Sequence, residues 1–241
     1  MSPRRGALAG PVEGAPVIDY EGVDVDLDGV PVLRDVGFRS DARRIAVVGA
    51  NGSGKSTFVR TLNGLVRPSA GRARVLGLDP VADGAAVRRH VGFVFSNPDV
   101  QLILPTVGED LALSLRGQGL SKAEIAERVE RALEDIGLAG RRDESAYALS
   151  GGQKQLLALA GVLIRRPGLV VADEPTAFLD AANARRIADR LLEQDERAVV
   201  IVTHDPALAR RCDVAIRFDG GRLVDEGEPG RVVADYLAAL P

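Results

Sequence analysis

Short, almost wholly apolar runs recur along the chain, at residues 45–48, 91–95, 169–172 and 198–203. Runs of this length are typical of strands buried on both faces, as in parallel sheets. Between the last two runs, residues 181–194 have the apolar spacing of a helix. Strands that alternate with helices are joined by right-handed crossovers. The pattern therefore predicts an α/β fold built on a parallel sheet.

A helical pattern occupies residues 102–138. Ser121 and Glu124 have the spacing of a capping box, and Gly137 ends the periodic stretch. The apolar positions between them are Ile125, Val129, Ala132, Leu133 and Ile136. We expect a helical subdomain inserted into the α/β body over about residues 102–165.

The two ends of the chain carry strand signals of another kind. Residues 17–38 contain the turn Asp28-Gly29, which predicts a pair of N-terminal antiparallel strands. A closing hairpin is expected around residues 219–221, and residues 68–80 are interpreted as turn-rich. Residues 1–16, rich in Gly, Pro and Ala, are expected to form a disordered tail before one domain over 17–241.

Composition excludes several classes of function. The net charge of −3 lacks the basic excess of a nucleic-acid-binding protein. The single cysteine, Cys212, excludes an intramolecular disulfide and is expected to be a buried apolar thiol. One cysteine with two histidines, His90 and His204, does not make a zinc site, and His90 is expected at the surface. Without a signal sequence or 18 consecutive apolar residues, we expect a cytosolic protein that reaches a membrane only through a partner.

The strongest chemical signal follows the first apolar run. Residues 49–56 fit G-x-x-x-x-G-K-[ST], a loop whose amide groups and following helix N-terminus bind phosphate oxygens. A plain glycine-rich turn is the alternative. Only three of the 31 basic residues are lysines, which favours a specific role for Lys55. The predicted ATP-binding residues are Gly49, Ala50, Asn51, Gly52, Ser53, Gly54, Lys55, Ser56 and Thr57.

Two acidic residues and a histidine follow the later strands. Asp173 and Glu174 come after residues 169–172, and His204 follows residues 198–203. Ligands of open α/β sheets bind at the carboxyl ends of strands, so these groups should face the phosphate loop. We expect Ser56 and Asp173 to bind Mg²⁺, Glu174 to act as general base, and His204 to contact the γ-phosphate or the water. A helix N-cap at Asp173-Glu174 and a structural role for His204 are the alternatives.

A second glycine turn lies at residues 149–153, before a helix that begins near Lys154. Its serine and exposed amides would make another anion site, or a plain helix cap. Two phosphate-binding elements in one chain suit a single nucleotide only if two chains pair head to tail, each completing the other's site.

These motifs, in this order, resemble those of the ATP-binding cassette (ABC) ATPases, over about residues 18–237. The resemblance implies a P-loop NTPase fold and a head-to-tail dimer that encloses two ATP molecules with Mg²⁺. Asp180 would belong to the D-loop. The signature residues that contact the partner's ATP would be Ser150, Gly151, Gly152 and Gln153.

A narrower resemblance lies in residues 95–102 and 105–110, which are similar to the ATPases of energy-coupling factor importers for vitamins, cobalt and nickel. It implies a membrane-embedded partner subunit, a second ATPase chain, either identical or different, and a location on the cytoplasmic face of the membrane. Residues 102–104 would line a groove for the membrane partner's helix or belong to the core of the helical lobe.

Three positions depart from the family pattern. Ser96 stands where the Q-loop glutamine is expected, and Gln101 is a substitute candidate as a Mg²⁺ ligand. Leu27 replaces the aromatic ring that stacks on adenine, which predicts loose base selectivity, and Phe178 replaces a small D-loop residue. We therefore expect the ATPase subunit of an importer. A non-transport ABC factor and a degenerate regulatory subunit are the alternatives.

Overall fold

A computed structural model describes residues 10–192 and 197–239. The strands are β1 Ile18–Leu27, β2 Val30–Ser40, β3 Arg44–Gly49, β4 Ala70–Val75, β5 Val91–Val94, β6 Leu169–Asp173, β7 Ala198–Val202, β8 Val214–Asp219 and β9 Arg222–Gly227. The helices are α1 Lys55–Thr61, α2 Gly84–His90, α3 Val107–Ser114, α4 Lys122–Asp135, α5 Gly151–Leu163, α6 Ala181–Leu192, α7 Pro206–Ala209 and α8 Pro229–Ala238.

The central sheet has six strands in the order β5-β6-β7-β3-β8-β9. The first five are parallel, and β9 returns antiparallel to β8 after the turn at residues 219–221. The predicted parallel sheet and closing hairpin are confirmed. Val47 lies level with Val202, which lies level with Asp173. This register brings the carboxyl ends of β3, β7 and β6 to one edge of the sheet.

The second sheet has three antiparallel strands in the order β2-β1-β4. Asp28 and Gly29 both have positive φ, as the tight turn between β1 and β2 requires, which confirms the N-terminal hairpin. The interpretation of residues 68–80 as only turn-rich is wrong, because they contain β4. Only Ala73 and Val75 of β4 are buried, so its apolar signal is too short to register among the flanking Gly and Pro residues.

Two apolar cores lie on opposite faces of the central sheet because successive side chains of a strand alternate in direction. Ile45 and Val47 pack with the three-stranded sheet and α1. Ala46 and Val48 pack on the other side with α5, α6 and the helical segment. β3 is therefore fixed from both faces, which holds the loop at its end.

Helices α3, α4 and α5 lie between β5 and β6, in the stretch where the helical subdomain is expected. The capping box of α4 is confirmed: Ser121 Oγ accepts from the amide of Glu124, and Glu124 accepts from the amide of Ser121. None of the helices in the described part of the chain is long and apolar enough to cross a membrane.

The expected tail over 1–16 lies partly outside the described residues, which begin at residue 10. Within 10–16 the Val12 amide donates to the Leu76 carbonyl at 3.0 Å, so this part contacts the body. Residues 193–194 of the expected helix over 181–194 also lie outside the described ranges. Cys212 is buried as expected, and burial raises the pKa of its thiol to about 12.

Candidate nucleotide-binding site

The loop between β3 and α1 is shaped by glycine. Gly49 has φ 144°, and a Cβ there would lie 2.3 Å from the Phe218 carbonyl oxygen, so no side chain fits. Gly52 and Gly54 have φ 77° and 104°, which lets the chain turn sharply into α1. The predicted strand, loop and helix are present: β3 ends at Gly49 and α1 begins at Lys55.

Lys55 lies inside this loop with only 4% of its surface exposed. Its Nζ donates to the carbonyl oxygens of Gly49 and Ala50 at 2.8 and 2.7 Å. Burial lowers the pKa of Lys55, and the charges of Glu174 and Asp173 oppose that shift. The loop therefore holds a desolvated ammonium group, which is a strong attractor for a polyanion.

Ser56 and Asp173 meet next to Lys55. Ser56 Oγ donates to Asp173 Oδ1 at 2.9 Å, and Arg60 Nη2 lies 3.5 Å from Asp173 Oδ2. Burial raises the pKa of Asp173, against the lowering effects of the Ser56 hydrogen bond and the Arg60 charge. Arg60 was missed by sequence reasoning, although its place four residues after Ser56 puts it on the same face of α1.

The hydroxyl and carboxylate of this pair are hard oxygen ligands, which suit Mg²⁺. Among the described residues, no cluster of three or more His, Cys, Asp or Glu side chains is arranged to bind a metal alone.

Glu174 and His204 form a pair at the ends of β6 and β7. His204 Nε2 lies 3.1 Å from Glu174 Oε1, and the Glu174 amide donates to the Val202 carbonyl at 3.0 Å. Glu174 has φ 50°, a strained conformation that is concentrated at functional sites. Asp173 ends β6 and the next helix begins at Ala181, so the alternative helix cap is wrong.

The second glycine turn begins α5. Ser150 accepts from the Gln153 amide and Gln153 accepts from the Ser150 amide, so Ser150 is a helix cap in the single chain. A Cβ at Gly152 would lie 2.6 Å from the side chain of Asn183, which donates to Asp180 at 2.8 Å. The start of α5 therefore packs on the start of α6, which Asp180 caps.

The structure does not bring Gln101 to Ser56 and Asp173. Its Nε2 donates to the Ala158 carbonyl at 2.8 Å, and its Oε1 accepts from the Phe95 amide at 3.4 Å. In the described structure this side chain joins the segment after β5 to α5, and a role for Gln101 as a metal ligand stays a prediction that would require it to leave these partners.

The other two residues that depart from the family pattern, Leu27 and Phe178, lie at the surface. Leu27 is 41% exposed at the tip of the β1–β2 hairpin, opposite Val30. Phe178 is fully exposed and has φ 63°. Of residues 102–104, Leu102 belongs to the core as one interpretation has it, and Ile103 is 62% exposed, so a contact with the membrane partner's helix stays a prediction.

Comparison with known proteins agrees with this geometry. The family model described as ABC transporter matches residues 35–177. The biotin transport ATP-binding protein BioM of Rhodobacter capsulatus is 39% identical over 92% of this chain and 95% of its own length. The energy-coupling factor transporter ATP-binding protein EcfA of Methanosarcina acetivorans is 39% identical over 89% of this chain and 81% of its own.

Solved structures of ABC ATP-binding proteins also resemble this chain. CbiO1 of Clostridium perfringens, part of the ABC transporter complex CbiONQ, matches with a TM-score of 0.81 and 30% identity over 92% of this chain and 93% of that one. The ATP-binding cassette MJ0796, a dimer bound to ADP and Pi, matches with a TM-score of 0.78 and 28% identity over 88% and 98% of the two chains.

The fold and the phosphate loop define a nucleotide-binding P-loop protein. The chain belongs to the ABC transporter family, and it is an ATP-binding, ATP-hydrolysing protein of that family.

Replacing Lys55 by alanine tests the buried ammonium. Since a charge-assisted hydrogen bond contributes about 1.5–3 kcal/mol, we expect Lys55→Ala to weaken ATP binding by about tenfold to a hundredfold. Binding of a fluorescent ATP analogue would measure this. Lys122→Ala, at the exposed start of α4, is the matched control and should bind as the wild type does. Equal affinities for the two variants would contradict a phosphate-binding role for Lys55.

Proposed function

We propose that this chain is the ATPase subunit of an energy-coupling-factor-type importer that works at the cytoplasmic face of the membrane. The observation that carries the proposal is the assembly of Lys55, Asp173 and the Glu174–His204 pair at one edge of the sheet. The names of similar proteins support the proposal: EcfA is named for an energy-coupling factor transporter, BioM for biotin transport, and CbiO1 belongs to the ABC transporter complex CbiONQ. The cargo would be a vitamin or a metal ion, selected by a membrane-embedded subunit.

In this proposal residues 49–57 bind the phosphates of ATP. The backbone amides and the α1 N-terminus contact phosphate oxygens, and the Lys55 ammonium turns from its own carbonyl partners toward the β- and γ-phosphates. Ser56 and Asp173 would hold Mg²⁺, which would supply positive charge beside the phosphates.

Glu174 and His204 carry the hydrolytic step. Glu174 accepts a proton from the attacking water, and His204 lies within hydrogen-bond distance of the same carboxylate. Without nucleotide, the Nε2–H of His204 holds that carboxylate, and with ATP bound the same N–H would donate to the γ-phosphate instead. The strained backbone at Glu174 fixes the direction of its side chain.

Two copies of the chain are proposed to close head to tail on ATP. Ser150, Gly151, Gly152 and Gln153 of one copy contact the γ-phosphate held by the other, and Asp180 lies between the two sites. ATP stabilises the closed dimer only through contacts that the open form lacks. Hydrolysis removes those contacts, and the resulting opening is transmitted to the membrane subunit.

A degenerate regulatory subunit is the second candidate, and Ser96 is the residue that favours it. The shorter side chain at the expected Q-loop position has no amide to offer, and Gln101 is bonded elsewhere. Tight ATP binding without turnover, even beside the membrane subunit, would favour this candidate. The intact Glu174–His204 pair favours the active enzyme.

Glu174→Gln removes the proposed base and keeps the shape of the side chain. We expect ATP turnover to fall by about a hundredfold or more, because a positioned base contributes at least that much. ATP binding should persist, and the ATP-bound dimer should accumulate in sedimentation experiments. Glu226→Gln, on exposed β9, is the control and should retain full turnover. Unchanged turnover in Glu174→Gln would refute the assignment of the base.

Ser150 and Ser121 offer a matched pair, since each caps a helix through a capping box. Replacing either by alanine should cost about 1 kcal/mol of unfolding free energy, measured with denaturant. Only Ser150→Ala should also weaken ATP-dependent dimerisation and turnover. If both variants lose the same activity, Ser150 is a helix cap alone.

Leu27→Tyr tests contact with the nucleobase. Stacking on an aromatic ring contributes about 1–3 kcal/mol per base, so we expect ATP affinity to rise by about fivefold or more. Discrimination against ITP and GTP should change with it, because the wild type offers only an aliphatic surface. Val224→Tyr, on an exposed position of β9, should leave affinity unchanged. If ATP affinity does not rise in Leu27→Tyr, the nucleobase of ATP binds elsewhere.

A further inference from the structure

The Gly49 carbonyl, at the end of β3, accepts hydrogen bonds from two side chains that are far apart in the sequence. Lys55 Nζ donates to it at 2.8 Å, and the Tyr236 hydroxyl of α8 donates to it at 3.3 Å. A carbonyl oxygen has two lone pairs, so these two donors together fill its capacity. Lys55 belongs to the phosphate loop, whereas Tyr236 lies 187 positions after Gly49 and takes no part in the loop motif.

Helix α8 holds Tyr236 against the end of β3. The helix packs on β3 and β8, and its buried residues include Val232 and Val233. Tyr236 follows them by four and three positions, so it shares their face of the helix and packs against the same core. Near the start of α8, Arg231 Nη2 donates to Asp225 Oδ1 on β9 at 2.8 Å. Removal of the tyrosine hydroxyl would therefore leave the ring in its place.

The two carbonyls that hold Lys55 differ in their access to water. Gly49 is buried, whereas Ala50, whose carbonyl accepts from Lys55 at 2.7 Å, is exposed. When the ammonium group turns toward the phosphates of ATP, water can replace it at the Ala50 carbonyl. Water does not reach the Gly49 carbonyl in the same way, so that oxygen needs a donor from the protein.

The length of the tyrosine hydrogen bond agrees with a shared acceptor. An O–H···O hydrogen bond usually measures about 2.5–3.0 Å, and the 3.3 Å between the Tyr236 and Gly49 oxygens exceeds this range. The ammonium group of Lys55 is the stronger donor, and it occupies the nearer position at 2.8 Å. The tyrosine hydroxyl is therefore close enough to form a full hydrogen bond with the carbonyl once Lys55 leaves it.

We propose that Tyr236 is a positioning residue for the phosphate-binding lysine: its hydroxyl takes over the Gly49 carbonyl when Lys55 turns to the β- and γ-phosphates. This inference rests on the proposed function, since it describes a step in the binding of ATP. Without the hydroxyl, the free protein keeps the Lys55 hydrogen bond, but the ATP-bound protein leaves a buried oxygen unpaired. The loss therefore falls on the bound state alone, and Lys55 is held more firmly to its own loop.

Tyr236→Phe removes the hydroxyl and keeps the ring. An unpaired buried acceptor should weaken ATP binding by about fivefold or more, which titration with a fluorescent ATP analogue would measure. Because the defect acts on the ground state and the transition state alike, the KM for ATP should rise by a similar factor while kcat stays within about twofold of the wild-type value.

The Lys55→Ala background supplies a measurement that a purely structural tyrosine would not change. No ammonium group occupies the Gly49 carbonyl there in either state, so the hydroxyl serves the free and the ATP-bound protein equally. Adding Tyr236→Phe should therefore leave the already weakened affinity of Lys55→Ala unchanged within about twofold. A loss of the same factor in both backgrounds would show that the hydroxyl only shapes the loop, and it would overturn the proposal.

Tyr20→Phe is the matched control for lost stability. The Tyr20 hydroxyl shares a buried hydrogen bond of 2.8 Å with Thr61 Oγ1 on α1, and this bond does not involve the phosphate loop. The variant should lower the unfolding free energy, measured with denaturant, while its ATP affinity stays that of the wild type. Equal losses of affinity in Tyr20→Phe and Tyr236→Phe would reduce the effect to stability and contradict the positioning role.

The same titrations separate this inference from the proposed function. If Lys55→Ala weakens ATP binding but Tyr236→Phe binds as the wild type does, only the role of Tyr236 is overturned. If Lys55→Ala binds ATP as tightly as the wild type, or the wild type does not bind ATP, the proposed function fails and this inference fails with it.

Discussion

The burial of one ammonium group constrains the site more than any other single interaction. Lys55 has lost nearly all of its contact with water, and its direct hydrogen bonds go to two neutral carbonyls of its own loop. An isolated buried charge is costly, so the negative charges of Asp173 and Glu174 are needed nearby. They arrive through the sheet, because β7 holds β3 and β6 in a register that sets Val47, Val202 and Asp173 side by side. The same negative charges make the loop selective for a polyanion that is bound together with a cation. Lys55 attracts the polyanion, whereas Asp173 repels it unless a cation lies between the polyanion and Asp173.

Local patterns predicted the parts of this arrangement that depend on local chemistry. The loop at residues 49–56, the turn at Asp28-Gly29 and the cap at Ser121 each carry their signal within a few residues. Strand β4 was missed because its two buried side chains, Ala73 and Val75, matter only through pairing with β1, which lies about 50 residues earlier. The hydrogen-bond partner of Gln101 was missed for a related reason. Its partner is the Ala158 carbonyl on α5, 57 positions away, and a backbone carbonyl leaves no trace in the sequence.

Long-range contacts also bring two residues to the site that no sequence pattern indicated. The Tyr236 hydroxyl on α8 donates to the Gly49 carbonyl at 3.3 Å, the same oxygen that accepts from Lys55. Asn183 joins Asp180 to the glycine turn before α5, where the space that Gly152 leaves is filled by the Asn183 side chain. A tyrosine near the end of a chain and an asparagine near a helix start are common, so only the assembled fold distinguishes these two from any others.

Helix α5 connects the glycine turn, where a second chain is proposed to bind, with the segment that follows β5. Ser150 caps its first turn, and Arg165 and Arg166 follow its last, with 13 helical residues between them. At 1.5 Å per residue this is a rod of about 20 Å. Gln101 fastens the middle of the rod to the turn that carries Val100 and Ile103, through the Ala158 carbonyl. In the proposed dimer, the first turn of this helix would face the ATP of a second chain, while Gln101 ties its middle to the segment after β5. Because a packed helix resists bending, a displacement of the segment after β5 would be transmitted along α5 to Ser150, and closure of the proposed dimer would act on the same helix from its other end.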